Sequence, residues 1–300
     1  MSVVVDVERV GIYRKLADKT AEIGVSARLL NDDPRRYGML EGEDQMDLKK
    51  GCDGLRDEGY GDLFHSFSDY IMKTSRRGIP LKEALGSNFV TTRRSLMLIA
   101  NMSVYKYPFV MRALRRKGVI FLCEAKSENE GPYEHLFEGH KFDQYMTLND
   151  NGEPHDEYEP VSNAECTRAV LRTSLKNGNF VEIKSSKFDI NTWFKKRSLS
   201  HYLQSYLATV SYIIHGETDE DKVVKCVSKI PVNSIPNMGM FWKSSSCFEK
   251  LFKTFQEIQN RLTLDDTALI IRNDGRYLHY EEEDANRCHF VDPEFLNFFE

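Results

Sequence analysis

The segment N-G-N-F-V-E-I-K-S-S-K, at residues 177–187, constrains the fold more strongly than any other part of the chain. Apolar and charged residues alternate in it, and successive side chains of a β-strand point to opposite faces of a sheet. We therefore predict that Val181 and Ile183 face one side while Glu182 and Lys184 face the other. The charged pair indicates either a solvated edge strand or part of a metal-dependent site that cleaves phosphodiesters. The spacing alone leaves both interpretations open.

The bulk composition is that of an ordinary globular protein. A chain of 300 residues is long enough for one large hydrophobic core or two small ones. The net charge of -5 gives no global attraction to nucleic acid or to an anionic membrane, although a local basic groove is compatible with it. The cysteines form no C-x-x-C motif and are predicted to be reduced, mostly buried thiols: Cys52, Cys123, Cys166, Cys226, Cys247 and Cys288.

The chain shows no feature of a secreted or membrane protein. Acidic residues interrupt the apolar N-terminal run, which is therefore not typical of a signal peptide. No apolar run approaches the ~20 residues that are needed to span a bilayer. We expect a soluble protein of the cytoplasm, the nucleus or both, with no membrane partner and no DNA partner.

Hydrophobic periodicity predicts a single α+β domain over residues 1–300, in which helices flank a mixed β-sheet. Helical spacing of apolar residues is found at 63–72, again after Trp193, and at 247–262. The run V-I-F-L-C-E-A, at 119–125, predicts a strand.

Three hairpins are predicted from turn signals between apolar runs. An Asn-Gly pair lies between A-V-L-R-T-S-L and F-V-E-I-K-S-S, and Asn-Gly is the strongest short hairpin signal. A second hairpin is expected around E-T-D-E-D and a third at Asn273-Asp274-Gly275. The segment 138–147 fits a helix or a strand equally well, and 148–160 is predicted to be an exposed acidic loop.

A strand with Glu-x-Lys that precedes a basic amphipathic helix resembles the PD-(D/E)XK nucleases. Carboxylates on adjacent strands of such a site hold Mg²⁺, which prefers oxygen ligands. The metal activates water and neutralises the charge of the reacting phosphate. The lysine orients or deprotonates that water.

Four segments, in order, resemble the DXO family of RNA decapping exoribonucleases, and the likeness extends from about residue 30 to the end of the chain. The family's F-V-T-W-R-G segment corresponds here to F-V-T-T-R-R-S-L, which contains Arg93. Its G-Y-K-F-E-x-Y-M segment corresponds to G-H-K-F-D-Q-Y-M, with Asp143 in place of the glutamate. Its E-Φ-K-T-S segment corresponds to E-I-K-S-S, with Glu182 and Lys184. Its W-x-Q-S-F-L segment corresponds to Y-L-Q-S-Y-L, with Gln204.

The resemblance implies a fold related to the PD-(D/E)XK nucleases and an RNA 5′ end as the partner. It implies Glu182 and Lys184 as catalytic residues, and Asp143 and Glu182 as ligands of Mg²⁺ or Mn²⁺. It also implies Arg93 and Gln204 as substrate-binding residues. All five are expected to line a cleft at an open side of the sheet.

Two departures from the family pattern affect the metal site. Family members carry a strand ending in G-E-Φ-D, which supplies two of four active-site acids, whereas this chain passes from Leu175 through the Asn-Gly turn directly to Phe180. In addition, Asp143 is one methylene shorter than glutamate, which withdraws its carboxylate by about 1.5 Å. Mg²⁺ tolerates little displacement of its ligands.

Two hypotheses about function follow. In the first, the protein is an active divalent-metal-dependent decapping hydrolase or 5′–3′ exoribonuclease. In the second, it is a weak or inactive pseudoenzyme that still binds RNA or a protein partner and needs no metal. The missing acids favour the second hypothesis.

Overall fold

The computed structural model describes residues 7–51, 63–125, 137–161, 166–172, 180–238 and 240–300. Its helices are α1 (His65–Thr74), α2 (Leu81–Leu85), α3 (Arg93–Asn101), α4 (Phe137–Tyr145), α5 (Ile190–Lys196), α6 (Ser198–Tyr206), α7 (Ser244–Arg261) and α8 (Pro293–Phe298). Its strands are β1 (Glu8–Lys15), β2 (Ala21–Glu22), β3 (Gly38–Met39), β4 (Met46–Asp47), β5 (Phe89–Thr91), β6 (Phe109–Arg116), β7 (Val119–Glu124), β8 (Cys166–Arg172), β9 (Phe180–Ser186), β10 (Val210–Thr218), β11 (Val223–Pro231), β12 (Thr267–Asn273) and β13 (Leu278–Glu283).

The predicted α+β class is confirmed, and the strands of the described residues are distributed over several sheets. The first sheet has the order β2-β1-β8 and is antiparallel. The second has the order β3-β11-β10-β9, with β4 also paired to β11, and the third has the order β13-β12-β6-β7-β5. The second and third sheets are mixed, because β9 runs parallel to β10 and β5 runs parallel to β7.

The elements predicted from strong periodicity are confirmed. The helices expected at 63–72 and 247–262 are α1 and α7, and the strand expected at 119–125 is β7. All but the last residue of β7 are buried, as its unbroken apolar run implies. The helix expected after Trp193 is present as two helices, α5 and α6, separated at Arg197.

The hairpins predicted around E-T-D-E-D and at Asn273-Asp274-Gly275 are confirmed, and the one predicted at the Asn-Gly pair before β9 is wrong. Antiparallel ladders join β10 to β11 and β12 to β13. The hairpin predicted across the Asn-Gly turn is not formed, because β8 pairs with β1 while β9 pairs in parallel with β10. The turn itself, at 173–179, lies outside the described residues. A turn signal is local, whereas β9 obtains its neighbour through the crossover made by α5 and α6.

The segment 138–147, whose sequence fits a helix and a strand equally well, is mostly helical, since α4 covers it as far as Tyr145. The helix packs on the second sheet through Phe142, which is fully buried beside Ile214. Gly216 makes room for this ring, because an added Cβ at that position would lie 2.6 Å from it. This close approach fixes α4 beside β9.

Helix α6 covers the opposite face of the same sheet. Leu199 and Leu203 are fully buried with Ile213 of β10 and with Trp193 of α5. The β9–α5–α6–β10 unit thus sets α6 over the side of β9 to which Glu182 points. In the part of the chain that the structure describes, no helix is both long enough and apolar enough to span a bilayer.

Candidate active site

Glu182 lies at the centre of a network of ion pairs and hydrogen bonds. Its side chain is only 13% exposed, and Lys184 Nζ lies 2.7 Å from Oε1. Arg93 Nη1 donates to Oε2 over 3.1 Å, and Gln204 Nε2 donates to Oε1 over 2.6 Å. Glu182 and Lys184 therefore share a face of β9, as the alternation predicts, and four of the five predicted site residues are in direct contact.

Separate elements carry these side chains to Glu182. Thr92 caps α3 by accepting a hydrogen bond from the backbone N–H of Ser95, and Arg93 is therefore the first residue of that helix. Arg93 also donates to the backbone carbonyl of Gln204 over 3.4 Å, which ties α3 to α6. The geometry of the network thus depends on how α3, α6 and β9 pack.

The charges of the network favour an ionised Glu182. Burial raises the pKa of Glu182, but Lys184 and Arg93 together outweigh burial and hold the pKa below its ordinary value. Glu182 is therefore a carboxylate at neutral pH, and it is neutralised by two cations.

Asp143 reaches the same site from α4 and is half-buried. Burial raises the pKa of Asp143 to about 7, and Lys184 and Arg28 partly oppose that rise while Glu182 adds to it. Asp143 therefore lies within electrostatic range of both Lys184 and Glu182. We refer to Arg93, Asp143, Glu182, Lys184 and Gln204 together as the Glu182 cluster.

Two histidines belong to the surroundings of this cluster and were not predicted from the sequence. Burial lowers the pKa of His140, and burial lowers that of His201 to about 3, with Lys184 adding to both effects. Trp193 Nε1 donates to Nδ1 of His201 over 2.9 Å, which assigns the acceptor nitrogen of this neutral ring. His140 could have been found, since it precedes Asp143 by three residues and such residues share a helix face.

A cleft of about 1120 Å³ lies on the other side of β9. Val181 and Ile183 line it, together with Phe180, Tyr212 and Lys229. None of the five predicted site residues is among the residues that line this cleft, and their predicted place in a cleft stays a prediction. Strand alternation separates Val181 and Ile183 from Glu182 and Lys184.

Comparison with known proteins gives the family. The sequence profile described as "RAI1 like PD-(D/E)XK nuclease" matches residues 25–181 and 166–296, which together span most of the chain. The chain belongs to this family. The matched ranges include every member of the Glu182 cluster, with Glu182 and Lys184 in the second range.

Relatives within the RAI1-like family agree in sequence and in fold. The chain is 28% identical over 297 residues to "Decapping nuclease dom-3" of Caenorhabditis elegans, with 85% of this chain and 75% of the relative covered. Candida albicans Rai1, solved in complex with pU5-Mn²⁺, has the same fold, with a TM-score of 0.74, 15% identity and coverage of 99% of this chain and 95% of its own. K. lactis Dxo1, solved in complex with manganese, gives a TM-score of 0.64 at 13% identity, with coverage of 95% of this chain and 92% of its own.

The described residues do not fit a tight divalent-metal site of the kind expected for an RAI1-like nuclease. Among them, no group of three or more histidines, cysteines or acids is placed to hold a metal ion. Asp143 and Glu182 are the two carboxylates of the cluster, and both oxygens of Glu182 already accept from Arg93, Lys184 or Gln204. Mg²⁺ gives up its water reluctantly, and two acids offset that cost poorly.

Proposed function

We propose that this protein recognises the 5′ end of RNA and hydrolyses it weakly or not at all. The family assignment supports RNA 5′-end processing as the process, and a relative is named as a decapping nuclease. The observation that carries the proposal is the engagement of Glu182 by Arg93, Lys184 and Gln204. A carboxylate held by two cations is poorly available to a metal, whereas its cations remain available to a phosphate.

Arg93 is the residue best suited to bind a terminal phosphate. Its side chain is 38% exposed even though Nη1 donates to Glu182. The forked donors of arginine match phosphate oxygens in two-point hydrogen bonds. Lys184 is 26% exposed and adds a second positive charge beside it.

A metal-dependent decapping hydrolase is the second candidate function. It is favoured by the convergence of Asp143, Glu182 and Lys184 at one site. Asp143 and Glu182 would hold the metal, whose role would be to activate water and neutralise phosphate charge. Phosphates of the RNA would have to supply the missing ligands, and the ion would have to displace Lys184 or Arg93 from Glu182.

RNA affinity tests the first proposal directly. We expect a 5′-monophosphorylated RNA to bind in EDTA, with an affinity that falls as salt rises. Replacement Arg93→Ala should weaken binding by roughly tenfold, the effect of losing one charge-assisted contact of ~1.5 kcal/mol. The matched control is Arg94→Ala, since Arg94 is the next residue of α3, is 67% exposed and pairs with Glu124. Equal binding by the two variants would contradict the role of Arg93.

Cleavage assays separate the two candidates. The pure protein and its Glu182→Gln variant are incubated with 5′-monophosphate RNA and with cap-analogue RNA, in Mn²⁺ and in EDTA. The proposal expects no cleavage above the variant's level, or only slow cleavage that needs a high protein concentration. Rapid cleavage at low protein concentration that requires Mn²⁺ and is lost in the variant would establish the hydrolase instead.

A further inference from the structure

Two strands lie at the ends of their sheets and face the same cleft. In the part of the chain that the structure describes, β9 pairs with β10 on one side only and β8 pairs with β1 on one side only. A strand at the end of a sheet presents a row of N–H and C=O groups that a further strand can bind. Ala169 of β8 and Phe180, Val181 and Ile183 of β9 all line the cleft of about 1120 Å³.

The cleft is suited to apolar side chains on the side that Val181 and Ile183 face. Ile12 of the first sheet and Tyr212 of β10 also line it, and Tyr212 is 39% exposed. Each residue of β9 is half-buried, and Val181 and Ile183 keep part of their surface exposed while they pack beside Phe142. An apolar side chain placed here would be removed from water and would gain the usual free energy of burial.

Positive charge lies on both sides of β9. On one face Arg93 and Lys184 both pair with Glu182. Among the described residues, the cleft itself is lined by two cations, Arg28 and Lys229, and by one carboxylate, Asp32. Acidic side chains that approach the cleft would therefore be attracted to it.

We propose that an extended acidic segment of a partner protein binds in this cleft by pairing with the edge of β9 that no strand of the described residues occupies. Alternation within that segment places its apolar side chains beside Val181 and Ile183 and its acidic side chains on the face of Lys184. This inference goes beyond the proposed RNA function and does not depend on it.

Short peptides and amide hydrogen exchange test the inference without RNA or metal. The probe is a seven-residue capped peptide in which valine alternates with glutamate. One control alternates valine with lysine, and a second carries N-methyl groups on every backbone amide, which removes the donors of both strand edges while the side chains stay the same. We expect the acidic peptide to slow exchange across 180–186 by at least about tenfold, and neither control to do so.

A matched pair of variants locates the binding. Tyr212→Asp places a negative charge on the cleft wall and should weaken binding of the acidic peptide by roughly tenfold, about 1.4 kcal/mol. Tyr277→Asp is the control, since Tyr277 is 68% exposed and does not line the cleft. Thermal unfolding of each variant verifies that it is folded.

Several outcomes would overturn the inference. Amides of β9 that are all slow to exchange in the protein alone would mean that the edge is already paired. Equal protection by the acidic and the lysine peptide, or by the N-methylated peptide, would refute charge selection or strand pairing. Protection that depends on protein concentration, or that appears with RNA and not with the peptide, would assign the cleft to a second copy or to RNA.

Discussion

Replacement of Glu182 by glutamine tests whether the Glu182 cluster is held together by charge. The substitution preserves the shape of the side chain and removes its negative charge. That charge now lies 2.7 Å from Lys184 Nζ and 3.1 Å from Arg93 Nη1. The two cations then lie close together with no carboxylate between them. The side-chain amide of the introduced glutamine still offers an oxygen to which Gln204 Nε2 can donate.

The expected loss of stability is about 2 kcal/mol. Removal of one partner from a fully buried ion pair costs about 3–5 kcal/mol, whereas a surface pair contributes about 0–1 kcal/mol. Glu182 is 13% exposed, but Lys184 is 26% and Arg93 38% exposed, so that water can partly solvate the cations. A loss of about 2 kcal/mol in a chain of this size lowers the melting temperature by roughly 4 °C.

The assay is thermal unfolding of both proteins from neutral to acidic pH in EDTA. The pKa of Glu182 is below its ordinary value in the folded state, so its stabilisation is full above the ordinary pKa and is lost as pH falls through the folded pKa. The two melting curves should therefore converge at acidic pH. Glu124→Gln is the control, because its partner Arg94 is 67% exposed and less than about 1 kcal/mol is expected. A variant as stable as the parent at pH 7, or a difference that persists in acid, would refute the reasoning.

Three further substitutions address α4 and the buried rings near the site. Asp143→Asn should stabilise the protein by roughly 2–4 kcal/mol above pH 7 and leave its stability unchanged below about pH 4. Burial raises the pKa of Asp143 in the folded state to about 7, so the ionised form is disfavoured in the native protein. Urea titrations in EDTA across this pH range measure the free energy of unfolding, and a stabilisation that does not depend on pH would contradict the prediction. Gly216→Ala should destabilise the protein by about 1–3 kcal/mol, since the added Cβ would lie 2.6 Å from the ring of Phe142. The second substitution Phe142→Leu in the same chain should recover part of the lost stability. A double variant no more stable than Gly216→Ala alone would exclude this contact as the cause. Trp193→Phe removes the donor to His201 and should lower the free energy of unfolding in urea by about 1–3 kcal/mol. An unchanged free energy of unfolding would show that this hydrogen bond does not contribute to stability.

The local pattern of the sequence determined the elements whose own residues specify them. The alternation of F-V-E-I-K identifies β9 and places Glu182 beside Lys184, since a strand has a period of two whatever its neighbours are. Helical spacing identifies α1 and α7 in the same way. The motifs that resemble the DXO family also named all five members of the Glu182 cluster.

Tertiary structure decided which strand β9 pairs with and what meets Glu182. The Asn-Gly signal favours a hairpin, but β9 lies beside β10 because the buried helices α5 and α6 return the chain in parallel. Arg93 and Glu182 are 89 positions apart, and only the packing of α3 brings them into contact.

Tertiary structure also decided where the cleft lies and how burial shifts the pKa values near the site. The sequence separated the two faces of β9, but only the fold placed the large cleft on the side of Val181 and Ile183, away from Glu182. Burial, which raises the pKa of Asp143 and lowers that of His201, depends on how helices pack and not on the residues beside them in the chain. Period and spacing are properties of a short segment, whereas pairing, burial and charge balance depend on contacts between residues that are distant in sequence.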